Sequence, residues 1–259
     1  MRFRPGQWAM TGWKSRPSAW AWGLGPEPEP EPQQIPLALR QEWRRIAYGE
    51  GVAITGLYLA LISPEELSIT SGDAAVPRRT IDVMRALCEL CADLGGTYIV
   101  HGSPDQRPLA PGGETGCRHR GAEAYAQAGR HTADCGATYL IEPVRAARTP
   151  YINTVAEAAV IVAAPNCPGL RTMLDCCSGS ISESMPLDSV LDQWQPGGMI
   201  AHRHASDRNL RGPGGSIRFA AIIAALKRHG YNGTIGVEPF IFEPSAKPAP
   251  PAPPAIRVG

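Results

Sequence analysis

The stretch PRRTIDVMRALCELCADLGGTYIVHGS, residues 77–103, changes its period halfway along. Up to Gly95 the apolar residues recur at helical spacing. Pro77 sits near the first turn, where a missing amide donor is harmless, and Gly95 closes the helix. From Gly96 onward a short apolar run, Tyr98 to Val100, reads as a strand. Repeated alternation of this kind builds α/β folds around a parallel sheet.

The rest of the chain repeats the alternation. GVAITGLYLAL (51–61) is the preceding strand, and further strands are expected at ATYLIEPV (137–144), LRTMLDCC (170–177), MIAHRHA (199–205) and GTIGVEPF (233–240). Between them lie the helical stretches GAEAYAQAGRHTADCG (121–136), TPYINTVAEAAVIVAA (149–164), PLDSVLDQW (186–194) and SIRFAAIIAALKRHG (216–230). No glycine-rich dinucleotide fingerprint follows the first strand and no Walker-type loop occurs, which argues against dinucleotide-binding and P-loop folds.

The ends have a different composition. Residues 1–36 combine tryptophans, arginines and prolines with the run GPEPEPEPQQ, an irregular and extended segment; IPLALRQEWRRIAYGEG (35–51) is the one stretch near it with helical character. Residues 246–259 form a proline-rich tail, leaving 37–245 as the folded body. The 259 residues are 43% hydrophobic and 19% charged, with a net charge of +1. That balance gives no electrostatic footprint for nucleic acid or an anionic membrane, so the expected partner is a small molecule. Seven cysteines, an odd number set largely in apolar segments, read as reduced thiols, and the Cys88/Cys91 pair within the helix reads as packing. No apolar run reaches the roughly twenty residues of a membrane span, and Arg2 and Arg4 precede no secretory core, so the cytoplasm is the expected compartment.

Chemistry collects at the strand ends. Glu142, Asp175, His202 or His204, and Glu238 each close a strand. The C-terminal ends of parallel strands open onto one face, where α/β barrels hold their active sites. In AHRHASDRN (201–209) the two histidines, one residue apart, point the same way if the segment is a strand. Asp175 alone reads equally as the cap of the next helix. Three carboxylates and an imidazole form an oxygen-rich shell suited to Mn²⁺, Mg²⁺ or Co²⁺, and a cation would offset their mutual repulsion.

From about residue 50 the chain resembles the sugar phosphate isomerase/epimerase superfamily, the xylose isomerase-like TIM barrels, and within it the D-tagatose 3-epimerase-type ketose epimerases. The stretches that carry the resemblance are ELSITSGD, GGTYIVHGSP, ATYLIEPV, INTVAEA, MLDCCSGSISE, MIAHRHASDRNLRGPGG and LKRHGYNGTIGVEPF. The resemblance implies a TIM (β/α)8-type barrel, here incomplete at its first and last βα units. It also implies a divalent metal, Mn²⁺ before Mg²⁺ or Co²⁺, held by Glu142, Asp175, His204 and Glu238, with His202 in support. Glu142 and Glu238 would act as base and acid on opposite sides of a ketose, inverting the carbon next to its carbonyl through an enediolate. His101, His202, Arg208 and Arg211 are the expected substrate contacts.

Two departures stand out. Ser178 occupies the position three residues after Asp175 where the epimerases often carry histidine, and Leu210 falls nearest a substrate-gripping arginine, with Arg208 and Arg211 flanking it. Aldose–ketose isomerisation or dehydration is the variant chemistry these leave open, and a degenerate, non-catalytic sugar-binding barrel is the alternative. An apurinic-site endonuclease of the same superfamily fits less well, since only six histidines are present and there is no basic surplus. A barrel short of strands exposes unpaired edges, which association into a homo-oligomer would cover.

Overall fold

The computed structural model describes residues 31–241 apart from 59, 62, 63, 65 and 240, so the expected irregular segment up to residue 30 and the tail 246–259 lie outside the described residues. In order, the elements are helix α1 (Leu37–Gly49), strand β1 (Gly56–Leu57), α2 (Ala75–Asp93), β2 (Tyr98–His101), α3 (Glu114–Asp134), β3 (Thr138–Ile141), α4 (Val155–Ala163), β4 (Leu170–Asp175), α5 (Cys176–Ser182), α6 (Leu187–Trp194), β5 (Ile200–His204) and α7 (Phe219–Arg228). All five strands are parallel and lie side by side in chain order.

The helices form where the periodicity puts them. In α2 the residues Pro77, Thr80, Met84, Cys88 and Cys91, three or four apart, are all buried and face the sheet. Cys88 lies against the Thr132 hydroxyl of α3 at 2.8 Å and Cys91 donates to the Tyr98 carbonyl at 3.3 Å. Burial pushes both thiols up to about 12, and both are free cysteines packed between the helix and its neighbours. Helix α3 sits so close to β4 that a Cβ on Gly129 would lie 2.7 Å from that of Leu170, a contact only glycine permits. Helix α4 begins with a capping pair: the Thr154 hydroxyl accepts from the Glu157 amide at 3.2 Å and the Glu157 carboxylate from the Asn153 amide at 2.6 Å.

The sheet divides two apolar populations. Ile99, Tyr139, Ile141 and Leu170 point outward and pack with α2, α3 and α4, while Tyr98, Val100, Leu140 and Met173 point inward, with Tyr58 against them. The inward rings show how far the sheet curls. His202 of β5 stacks on Tyr98 of β2 with ring centroids 4.3 Å apart, although a flat sheet would put those strands about 14 Å apart. The sheet is a curved segment of a barrel wall.

At four places the structure departs from the sequence reading. Within the strand expected over 51–61 the described residues form regular strand at Gly56 and Leu57, which pair with β2, with a bridge residue at Ala53, and Gly56 carries the Tyr98 ring where a Cβ would collide with it. The strand expected over 233–240 is reduced to one parallel bridge between His204 and Gly236, with Val237 half exposed at that edge. LRTMLDCC stops at Asp175, because the carboxylate accepts the Ser178 amide at 2.6 Å and starts α5 there. Residues 31–35 belong to the fold: Pro32 and Ile35 are buried and Arg79 pairs with Glu31 at 2.8 Å.

Candidate metal centre and active site

Four adjacent segments bring one possible ligand atom each to a single spot. Glu142 follows β3, Asp175 ends β4, His204 ends β5, and Glu238 follows the bridge to β5. Their ligand atoms all lie within 4.8 Å of one another, and all four side chains are buried. His204 Nδ1 donates to Glu238 Oε2 at 3.0 Å and lies 3.6 Å from Glu142 Oε1. Asp175 caps α5 through Oδ1, and its Oδ2 accepts the Ser206 hydroxyl at 2.6 Å beside the cluster.

A break in strand register aims the histidines. Thr172 pairs with Ile200 but Met173 pairs with His202, so Ala201 is an extra residue in β5. Below it Ile200 points outward into the α6 and α7 packing; above it His202 and His204 point inward, with rings edge to face at 5.1 Å. Arg203, between them, points outward with its guanidinium 3.6 Å from the centre of the Tyr231 ring.

Crowding of negative charge governs the protonation of the cluster. Burial and then the neighbouring Glu238 charge raise the Glu142 carboxyl, against the hydrogen bond from His204. Burial, then the Glu142 charge, raise Asp175. Burial alone would lower His204, yet its bonds to Glu142 and Glu238 outweigh it and lift the imidazole to about 10. Buried carboxylates that repel one another this way fit a divalent cation, and a span of 4.8 Å is one that metal–ligand distances of about 2.0–2.5 Å bridge.

The other expected contacts fall in different places. His202 lines the interior beneath His204, and burial, then the charges of His204 and Arg203, hold it well below its usual range. His101 does not enter the cluster. Its ring points to the helix layer, between Tyr125 and Tyr139, with Nδ1 3.0 Å from the Tyr139 hydroxyl. Successive strand residues alternate faces, so His101 shares a face with Ile99 and not with inward-pointing Val100. Arg208 donates from Nε to the Ser180 hydroxyl at 2.9 Å and from Nη2 to the Ser180 carbonyl, fastening its loop to α5. Arg211 is exposed on the same loop, next to Leu210, whose φ of 62° is left-handed. Asp207 is fully buried and accepts the amides of Arg208, Gly215, Ser216 and Ile217, so it shapes the loop.

Three residues of the site were not singled out from the sequence. Tyr58 meets the His204 ring edge to face at 6.2 Å; burial, then the charges of Glu238 and Glu142, push its phenol up to about 12. Ser206 positions Asp175. Gly102 makes room for Glu142, whose Oε2 lies 1.6 Å from where a Cβ would stand. Tyr58 and Gly102 each directly follow a strand, in GLY and VHG, and that position at a strand end is the signal that could have found them.

A curved parallel wall whose C-terminal strand ends converge on three carboxylates and a histidine defines the class of TIM-barrel proteins with a metal-competent mouth. The xylose isomerase-like TIM barrel family matches residues 23–257, and the chain belongs to it. It is 25% identical over 207 residues to the D-psicose 3-epimerase of Ruminiclostridium cellulolyticum, covering 77% of this chain and 68% of that one. To the L-ribulose 3-epimerase of Mesorhizobium japonicum it is 29% identical over 210 residues, covering 77% and 66%. The chain thus spans about two thirds of the length of these relatives. A crystal structure of D-psicose 3-epimerase in the presence of D-fructose superposes with a TM-score of 0.71 at 21% identity, covering 82% of this chain and 73% of that one. Among the described residues no helix is long and apolar enough to cross a membrane.

Proposed function

We propose that the chain is a metal-dependent sugar isomerase, most specifically a ketose epimerase acting next to the carbonyl. The convergence of Glu142, Asp175, His204 and Glu238 carries this reading. The curated relatives, named as 3-epimerases of psicose and ribulose, support it. These four residues would hold the cation, Mn²⁺ before Mg²⁺ or Co²⁺. Bound there, a divalent ion supplies Lewis-acid stabilisation of the enediolate charge.

The chain's own groups do the proton work. Glu142 and Glu238 arrive from different segments with His204 between them, so one takes the proton from the carbon beside the carbonyl and the other returns it on the opposite face. Ser206 holds Asp175, and His202 packs beneath His204. Arg211 is the basic group assigned to the sugar hydroxyls; Arg208 fastens their loop, and His101, packed between Tyr125 and Tyr139, is left out of the proposed contacts. A free sugar, and not nucleic acid, is the proposed partner of a chain with a net charge of +1. Seven unpaired thiols support the cytoplasm, and association of copies along the β1 edge would complete the wall.

The test is deuterium wash-in from solvent at C3 of a panel of ketoses with Mn²⁺ supplied. Exchange on at least one ketose is expected; a folded, Mn²⁺-loaded sample that exchanges none counts for the non-catalytic sugar-binding barrel.

A further inference from the structure

We infer that Arg107 is a positioning residue that fixes Glu142 through its main chain, an inference that rests on the metal and epimerase reading above. Arg107 follows the single turn Pro104–Gln106 in the loop after β2, and its side chain is completely buried. Its Nη2 donates to the Glu142 carbonyl at 2.9 Å, while the Glu142 amide donates to the His101 carbonyl at 3.2 Å. Both peptide units of Glu142 are therefore tied, one to β2 and one to the loop that β2 leads into. The carboxylate is confined as well, with Oε2 in the space left by Gly102 and Oε1 facing His204.

Arg40 shows what a buried arginine looks like when it serves the fold. Its three nitrogens are all spent, on the Ile35 carbonyl at 2.8 Å, the Pro32 carbonyl at 2.8 Å and Asp93 at 2.9 Å. Arg107 is buried more deeply and satisfied less. Nε and Nη1 have no well-aligned hydrogen-bond partner among the described residues, the Tyr125 hydroxyl is the polar group near enough to interact with the guanidinium, and Arg107 enters no ion pair there. Burying a guanidinium with one well-formed hydrogen bond, a neighbouring phenol and no ion pair opposes folding, and an apolar side chain of similar length would fill the volume without that penalty. Stability therefore gives no reason for an arginine here. Its one strong bond goes to the residue assigned both to the metal and to proton transfer.

Arg107→Met and Arg107→Lys separate the roles through three readouts: Tm of the metal-free protein, Mn²⁺ affinity by titration calorimetry, and the kcat and KM of C3 deuterium exchange at saturating Mn²⁺. In R107M we expect Tm at or above the wild-type value, Mn²⁺ binding weaker by about tenfold, and a fall in kcat that exceeds any change in KM. R107K, which keeps one donor for the Glu142 carbonyl, recovers part of both losses. Wild-type Mn²⁺ affinity in R107M overturns the inference, as do losses that simply follow a lowered Tm with R107K no better than R107M. If R107M does not fold, R107K decides: weakened Mn²⁺ binding at wild-type Tm supports the role and unchanged binding overturns it. A wild-type protein that binds Mn²⁺ but exchanges no ketose sinks the epimerase reading and leaves Arg107 to be judged on affinity alone; one that binds no Mn²⁺ overturns both.

Discussion

His101 and His204 each end a strand, each is fully buried, and they hold their protons in opposite ways. His204 faces inward among carboxylates and is lifted to about 10. His101 faces outward among tyrosines; burial first, then the Arg107 charge, hold it well below its usual range. Residue type and depth are the same, so the face of the sheet decides the chemistry. Inward, a histidine finds counter-charges; outward, it finds a hydroxyl and rings.

The contrast can be broken from its inner side. Glu142→Gln keeps the shape and removes the charge and the proton acceptor, and C3 exchange should fall by about 10²–10⁴-fold; an activity within tenfold of wild type would take Glu142 out of the proton transfer. Gly102→Ala places a methyl group where Glu142 Oε2 lies, so the carboxylate must move. Mn²⁺ affinity, measured calorimetrically, should drop about 10–100-fold, and unchanged affinity would mean that Glu142 is not held there. The outer side gives the smallest effect. Tyr139→Phe leaves His101 Nδ1 without its hydroxyl partner and should lower stability by about 1 kcal/mol in urea denaturation. Mn²⁺ affinity should not change, and a parallel loss of affinity would show that the two faces communicate.

Helix positions were legible because a helix writes its buried stripe locally, as the spacing Thr80, Met84, Cys88, Cys91 does. The four strand-end donors were legible because parallel strands share a C-terminal edge, whatever their distance in sequence. The orientation of His101 was not. A strand buried on both faces carries apolar residues at every position, as Tyr98, Ile99 and Val100 do, and leaves no alternation from which to tell inside from outside. The lengths of β1 and of the segment at Gly236 depend on which neighbours they find, and Arg107 reaches Glu142 across 35 residues, so neither follows from a local pattern. Asp207 sits between Ser206 and Arg208 in sequence, but what it does is set by five donors, four amides and the Ser216 hydroxyl, most of them eight to ten residues further on.

Ala201 gives β5 two phases. The strand begins in step with the helix layer, sending Ile200 into it, and finishes in step with the barrel interior, sending His202 and His204 there. One residue is the whole offset. Core and candidate metal centre are thus two reading frames of a single strand, spliced at an exposed alanine. Removing that alanine would leave every other side chain of β5 in the sequence and still force the strand to choose between its hydrophobic anchor and its histidines.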